Sequence, residues 1–177
     1  MGGGIEPASL FSSFISYGLA VLMKLLDTLQ HESITSLDLS YYITVSADTT
    51  VRHVVQALRQ SKRNCALVLR DGRLVGIFTD RDVLRKVVEH PEIWDRPIDT
   101  VMTPNPQTLD EHATAAEALS LMKRLHVRNV PVVRSNGEVV GNFTPYAIVR
   151  FLADTFPVTI YNRPPDPKRV PRREYGG

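Results

Sequence analysis

Hydrophobic and polar positions follow the same order in two long stretches of the chain. In the first stretch, the short β-branched run Ile43–Val45 predicts a strand, and the apolar positions after it recur at helical spacing. The apolar runs Cys65–Leu69 and Leu74–Phe78 predict two further strands, joined by a hairpin at Asp71-Gly72. A second helix is expected from Arg81, which completes the order β-α-β-β-α. The inner face of this second helix is expected to carry Val83, Leu84, Val87 and Val88.

The second stretch repeats the first at a nearly constant distance. Five residues of the first hairpin and the helix after it recur 65 positions later. They are Gly72, Gly76, Phe78, Thr79 and Arg85, which recur as Gly137, Gly141, Phe143, Thr144 and Arg150. Such repetition indicates a tandem of similar units. A unit of about 60 residues buries little surface and is only marginally stable alone, so the two units are expected to pack together.

The ends of the chain differ from the repeats. We expect residues 1–32 to form an amphipathic N-terminal helix, 33–96 and 97–154 to form the repeat units, and 155–177 to form a basic, proline-rich extended arm. The N-terminal stripe is short and interrupted by serine, which disfavours a membrane span. The helix is expected to pack on the repeats or on a second copy, with contact to a membrane surface as the alternative.

Composition limits the possible setting and ligands. The chain is 43% hydrophobic and 23% charged, as in ordinary globular proteins. Its single cysteine, Cys65, cannot form an intramolecular disulfide, which favours a reducing, cytoplasmic setting. The histidines lack the spacing of metal ligands, so no metal site is expected. The net charge is +2, and the basic arm lacks the aromatic platform of a nucleic-acid binder.

The segment 79–82, Thr-Asp-Arg-Asp, stands where a predicted strand meets a predicted helix. One interpretation is structural, because Thr79 followed three residues later by Asp82 forms a capping-box pattern. The other is functional, because a helix N-terminus attracts anions, a hydroxyl can bind phosphate, and a carboxylate can accept hydrogen bonds from a ribose. The residues alone leave both interpretations open.

The repeat resembles a tandem pair of cystathionine-β-synthase (CBS) domains, often called a Bateman module. The resemblance rests on the Gly-x-Phe-Thr ends of both hairpins, on Val-Met-Thr-Pro at 101–104 and on Arg-Asn-Val-Pro-Val-Val at 128–133. It implies an α/β (α+β) fold in which two β-α-β-β-α repeats pack as a pseudo-two-fold pair. It also implies a homodimeric, non-catalytic regulatory module that binds AMP, ADP or ATP between the domains, with S-adenosylmethionine as the less favoured ligand, and acts on an unidentified partner protein. The alternative is a ligand-free dimerisation scaffold that uses the CBS pair, the N-terminal helix and the arm.

The same resemblance assigns roles to residues of the first repeat. Thr79 is expected to bind phosphate or ribose, Asp82 to accept from the ribose hydroxyls, and Arg128 or Arg81 to bind phosphate. The adenine slot is expected at Ile43, Thr44, Cys65, Ala66 and Ile77.

The second repeat departs from this pattern. Ala147 stands where the first repeat has Asp82, so the acceptor for ribose is lost. A hydrogen bond to a charged group contributes about 1.5–3 kcal/mol, or roughly ten- to a hundredfold in affinity. The second cleft, with Thr144, Thr108 and Arg63 as its candidate residues, is therefore expected to be weak or empty.

Overall fold

The computed structural model describes residues 19–20 and 23–155 of the 177-residue chain. Residues 19–20 and 23–31 are helical, and we call 23–31 helix α1. Leu29 of α1 is buried, whereas Met23 and Leu26 are exposed, so α1 buries one face. The start of the predicted N-terminal helix and residues 156–177 of the predicted arm lie outside the described residues. Among the described helices, none combines the length and apolar character needed to cross a membrane.

The first half follows the predicted order of elements. They are β1 (Ile43–Ser46), α2 (Val51–Ser61), β2 (Cys65–Arg70), β3 (Arg73–Thr79) and helix α3, which has one α-helical turn (Asp80–Asp82) followed by a π-helix (Val83–Val87). The predicted hairpin lies between β2 and β3, where Asp71 and Gly72 both have positive φ angles, of 51° and 76°. Positive φ at both central residues is what a tight type I′ hairpin requires.

The second half repeats the order. Its elements are β5 (Leu109–Asp110), α4 (Ala115–Leu125), β6 (Val130–Val133), β7 (Val139–Phe143) and α5 (Pro145–Thr155). Helix α4 begins at a capping box, in which the Thr114 amide donates to Glu117 at 2.8 Å and the Glu117 amide donates to the Thr114 hydroxyl at 3.2 Å. This arrangement satisfies backbone donors that the first turn of a helix leaves unpaired. The mixed α/β fold of two repeats is therefore as predicted.

Each half has a small mixed sheet. Strands β5, β6 and β7 form the three-stranded sheet, in that order. The other sheet has the order β1-β2-β3-β4, and its edge strand β4 (Thr103–Pro104) belongs to the linker between the halves. Strand β4 pairs antiparallel with β3, so that Thr103 lies beside Ile77. The linker is thus part of the first sheet.

The segment that leads into each half packs on the other half. Leu29, Ile34, Leu37 and Leu39, which precede β1, lie in the hydrophobic core of the second half. Conversely, Val101 and Met102, which precede β5, pack on the core of the first half. A third cluster, built on Cys65, Leu67 and Ile77, is contacted by Val139 of β7 and so joins the two sheets. The halves are interlocked by this exchange of segments.

Helix α3 differs from its predicted form in the residues that it buries. Val87 is fully buried and Val83 packs on the core, as predicted. Leu84 and Val88 are 73% and 59% exposed, so their predicted place on the inner face is wrong. Residues 83 and 87 are four apart and share the face of the helix that meets the core of the first half. The positions directly after each of them turn toward solvent.

Candidate functional site

A cavity of about 540 Å³ lies where the two halves meet. It is lined by β3 and α3 of the first half, by Thr103 of the linker and by residues 127–129 of the second half. Pockets for small molecules typically have volumes of roughly 300–1,000 Å³. The cavity is thus large enough for a nucleotide, and both halves are needed to form it.

Thr79 and Asp82 lie in the wall of the cavity and are hydrogen-bonded to each other. One carboxylate oxygen of Asp82, Oδ2, accepts hydrogen bonds from the Thr79 amide and the Thr79 hydroxyl, both at 2.9 Å. The predicted capping contact is therefore present, and in it the Asp82 carboxylate accepts hydrogen bonds from Thr79 at the start of α3. Because Asp82 is held in place, a carboxylate is presented at a fixed position beside the cavity.

Lys86 binds the other oxygen of the same carboxylate. Its Nζ lies 2.8 Å from Asp82 Oδ1 and donates to the Val101 carbonyl, also at 2.8 Å. The Lys86 side chain is 38% exposed and that of Asp82 is 14% exposed. A carboxylate has about four acceptor positions, and the protein uses three of those of Asp82. A ligand with two hydroxyls would gain the full acceptor face of Oδ1 by displacing Lys86.

The rim of the cavity is cationic. Arg81, Arg85, Lys86 and Arg128 line it, against only two acidic residues, Asp80 and Asp82. Of these four bases, Lys86 has a carboxylate partner. Within the described residues, the three arginines have no carboxylate oxygen within 4.0 Å. Their guanidinium groups are therefore available to an anionic ligand.

Apolar and amide groups complete the lining. Ile77, Leu84 and Val127 supply apolar surface, which suits a flat aromatic ring. Asn64 and Asn129, which are equivalent in the two repeats, line the same cavity. Oδ1 of Asn64 is a buried acceptor without a partner in the described part of the protein. In that part of the chain, His, Cys, Asp and Glu side chains form no group of three or more that could hold a metal ion.

The structure brings five of the predicted site residues to this cavity. They are Thr79, Arg81, Asp82, Ile77 and Arg128. The other four residues of the predicted adenine slot, Ile43, Thr44, Cys65 and Ala66, do not line it.

The strand faces explain why those four lie elsewhere. Ile43 and Ala66 are register partners and face the core beneath the helices. Cys65 is fully buried in the cluster between the sheets, and burial raises the pKa of its thiol. Thr44 is exposed on the edge strand β1. Strand β1 is separated from β3, which lines the cavity, by the whole of β2.

Eight lining residues were missed from the sequence: Asn64, Asp80, Leu84, Arg85, Lys86, Thr103, Val127 and Asn129. Lys86 stands four residues after Asp82, a spacing that pairs opposite charges on a helix. Thr103 belongs to the Val-Met-Thr-Pro motif at the start of the second repeat. The sequence therefore contained a signal for both Lys86 and Thr103. Nothing in the sequence showed that the linker would return to β3.

The equivalent region of the second half is occupied by a tyrosine of the same chain. The Tyr41 ring lies 5.4 Å from that of Tyr146, between centroids, and Arg63 Cζ lies 4.6 Å from its centre. The Tyr41 hydroxyl donates to the Lys62 carbonyl at 3.2 Å. Tyr41 thus fills the space between Arg63 of the first half and helix α5 of the second half.

The residues predicted for the second cleft have other roles or positions. Thr144 is only 3% exposed, and its hydroxyl accepts from the Ala147 amide at 3.4 Å, so it caps α5. Arg63 stacks on Tyr41, and Thr108 is exposed on the linker. None of the three lines the cavity beside Asp82.

Known proteins show the same repeats. A model of the CBS domain matches residues 35–89 and 98–154. A CBS domain-containing protein of Arabidopsis thaliana is 36% identical over 112 residues, which are 62% of this chain and 20% of that protein. The chain therefore spans about a fifth of the length of that relative.

Solved structures share the fold. The CBS domain protein PAE2072 of Pyrobaculum aerophilum, complexed with AMP, is 25% identical, with a TM-score of 0.60 over 69% of this chain and 98% of that one. CBSX2 in complex with AMP is 22% identical, with a TM-score of 0.62 over 70% of this chain and 98% of that one. Two family matches in tandem, on two β-α-β-β-α repeats that enclose one cavity, show that the chain belongs to the CBS domain family.

Proposed function

We propose that this protein is a non-catalytic regulatory module that binds an adenine nucleotide, AMP, ADP or ATP, between its two CBS domains. The occupancy of the cavity is then transmitted to a partner protein. The observation that carries this proposal is the fixed Asp82 carboxylate beside a cavity whose rim holds three arginines without carboxylate partners in the described part of the chain.

The parts of the cavity match the parts of a nucleotide. Asp82 would accept from the ribose hydroxyls once Lys86 releases Oδ1, and the Thr79 hydroxyl lies beside it. Arg81 and Arg128 supply guanidinium groups, which bind phosphate through two parallel hydrogen bonds. Ile77 and the neighbouring apolar side chains offer a surface to the adenine ring. The AMP complex of the Pyrobaculum aerophilum relative supports this choice of ligand.

S-adenosylmethionine is a poorer match for the rim. Its sulfonium group is cationic and would lie near several guanidinium groups, whereas a phosphate would be attracted to them. A catalytic role also has little support, because no nucleophile with an adjacent base was recognised in the sequence. CBS pairs are typically regulatory, so the proposed activity is ligand sensing.

The test is a comparison of AMP with 2′,3′-dideoxy-AMP on the wild type and on Asp82→Ala, by titration calorimetry. If Asp82 binds the ribose, the substitution weakens AMP binding by roughly ten- to a hundredfold and has little effect on the dideoxy ligand. Asp80→Ala is the matched control, because it removes the same charge from the same cavity. It should leave the ratio of the two affinities unchanged.

A ligand-free scaffold is the second candidate, and one observation favours it. Both oxygens of Asp82 are already bonded within the protein, to Thr79 and Lys86. If this carboxylate serves only α3, Asp82→Ala should lower the melting temperature, and neither AMP nor ATP should raise that of the wild type. A ligand at 100 times its Kd adds about 2.7 kcal/mol to the free energy of unfolding, which thermal melting detects easily.

We also propose that two copies associate. Support comes from apolar side chains exposed on α3, directly after it and on α5, namely Leu84, Val88, Tyr146 and Val149. Light scattering should give the mass of a dimer for the wild type. The substitution Val149→Asp, which lies outside the cavity, should shift the protein toward the monomer, and an unchanged mass would count against this surface.

A further inference from the structure

We propose that the cavity prefers a nucleoside triphosphate to the monophosphate, and that Arg85 is the residue that makes this distinction. The inference rests on the proposed function, because it concerns the same cavity. It goes further by naming the number of phosphates that the cavity is built to hold. The AMP-bound relatives do not address this point for the present chain.

The first observation is a difference between two equivalent arginines. Arg85 of α3 and Arg150 of α5 stand 65 residues apart, at the same place in the two repeats. Arg150 lies 3.2 Å from a carboxylate oxygen of Asp38 and 3.9 Å from one of Asp154. In the described part of the chain, Arg85 lies within 4.0 Å of no carboxylate. The same residue is thus ion-paired in one half and unpaired in the other.

The segments that lead into the halves explain this difference. Residues 37–42 pack on the second half and include Asp38, which binds Arg150. The corresponding linker, residues 101–108, contains no acidic residue. The linker passes close to α3, because the Val101 carbonyl accepts from Lys86. The linker therefore offers Arg85 no carboxylate equivalent to Asp38.

The second observation is the place of Arg85 on the wall of the cavity. It lies four residues beyond Arg81 on the same helix, and both residues line the cavity. Residues four apart lie close to one another on a helix surface, so the two guanidinium groups can serve one polyanion. In the proposed arrangement Arg81 binds the phosphate next to the ribose, and a longer phosphate chain also engages Arg85.

The charge of the lining favours the same ligand. Four basic side chains face two acidic ones, and Arg128 from the second half adds its charge from the opposite wall. Each further phosphoryl group adds negative charge and oxygen acceptors. An arginine at a phosphate forms charge-assisted, often bidentate, hydrogen bonds. Arg85 would supply such bonds to a triphosphate and none to AMP.

The experiment is calorimetric titration of the full chain with AMP and with ATP, without magnesium and at constant ionic strength. For the wild type, ATP should bind more tightly than AMP by about tenfold or more, the effect of one hydrogen bond to a charged group. Arg85→Gln should lower the affinity for ATP about tenfold more than the affinity for AMP, so that the two affinities become similar. Arg150→Gln is the matched control, since it makes the same change of charge on the equivalent helix and should preserve the preference.

The outcomes separate this inference from the proposed function. Equal affinities for AMP and ATP in the wild type would overturn the inference and leave nucleotide binding in place. An equal loss of both ligands in Arg85→Gln, or an equal loss of preference in Arg150→Gln, would also overturn the role of Arg85. If neither nucleotide binds the wild type, the proposed function fails, and the inference fails with it.

Discussion

Replacing Tyr41 with alanine tests whether this side chain closes the second cleft. The substitution removes a hydrogen bond to the Lys62 carbonyl, an aromatic contact with Tyr146 and a cation-π contact with Arg63. These contacts contribute about 0.5–1.5, 0.5–1.5 and 0.5–1 kcal/mol, respectively. The expected loss in the free energy of unfolding is therefore about 1.5–4 kcal/mol.

Thermal and urea unfolding of Tyr41→Ala measure this loss. At about 2–4 °C per kcal/mol for a protein of this size, the melting temperature should fall by roughly 3–16 °C. Tyr41→Phe is the control, because it removes only the hydroxyl and should cost about 0.5–1.5 kcal/mol. A Tyr41→Ala variant as stable as the wild type would refute the idea that the ring fills and stabilises this region.

Ligand stoichiometry gives a second result for the same variant. Tyr41 does not line the cavity beside Asp82, so nucleotide affinity at that site should be retained. The number of strong sites should remain one per chain, because Ala147 offers no carboxylate even when the tyrosine is removed. Two equal sites, in the wild type or in Tyr41→Ala, would contradict the predicted asymmetry between the clefts.

Two further predictions concern packing. Gly141→Ala should lower the free energy of unfolding by about 1–3 kcal/mol, and by more than Gly76→Ala does. The reason is that a Cβ at 141 meets the Leu39 backbone oxygen, whereas one at 76 meets only the flexible side chain of Met102. Urea unfolding of both variants measures the two losses, and a larger loss for Gly76→Ala would contradict this reasoning. Cys65, fully buried and with its thiol pKa raised by burial, should react with a thiol reagent such as Ellman's reagent only after denaturation, and rapid labelling of the native protein would show that β2 is accessible.

The fold could be predicted because local patterns and the repeat agree with each other. The apolar runs of β2 and β3, with Asp71-Gly72 between them, determine a hairpin without reference to the rest of the chain. The second repeat shows the same order of patterns, which supports the prediction made for the first. Helix α3 was the exception, since its apolar spacing predicts an α-helix with Leu84 and Val88 on the inner face, whereas residues 83–87 form a π-helix and both side chains are exposed.

The candidate site could be predicted mainly where it is local in sequence, and the family resemblance added Arg128 from the other half. Thr79, Arg81 and Asp82 form one short motif, and the structure places all three at the cavity. The contributions of Thr103 and Asn64 depend on which strands become neighbours, which is a property of the assembled halves. The Tyr41 stack also joins residues of both halves, so neither repeat contains the information alone.

The exchange of leading segments links the packing of each half to that of the other. The segment after α1 packs in the core of the second half, while the linker completes the sheet of the first. A protein that binds α1 and displaces the second half would therefore widen the cavity and lower its affinity for the ligand. By thermodynamic reciprocity, a bound ligand must oppose that partner by the same factor. Competition between nucleotide and partner would then arise without any shared binding surface.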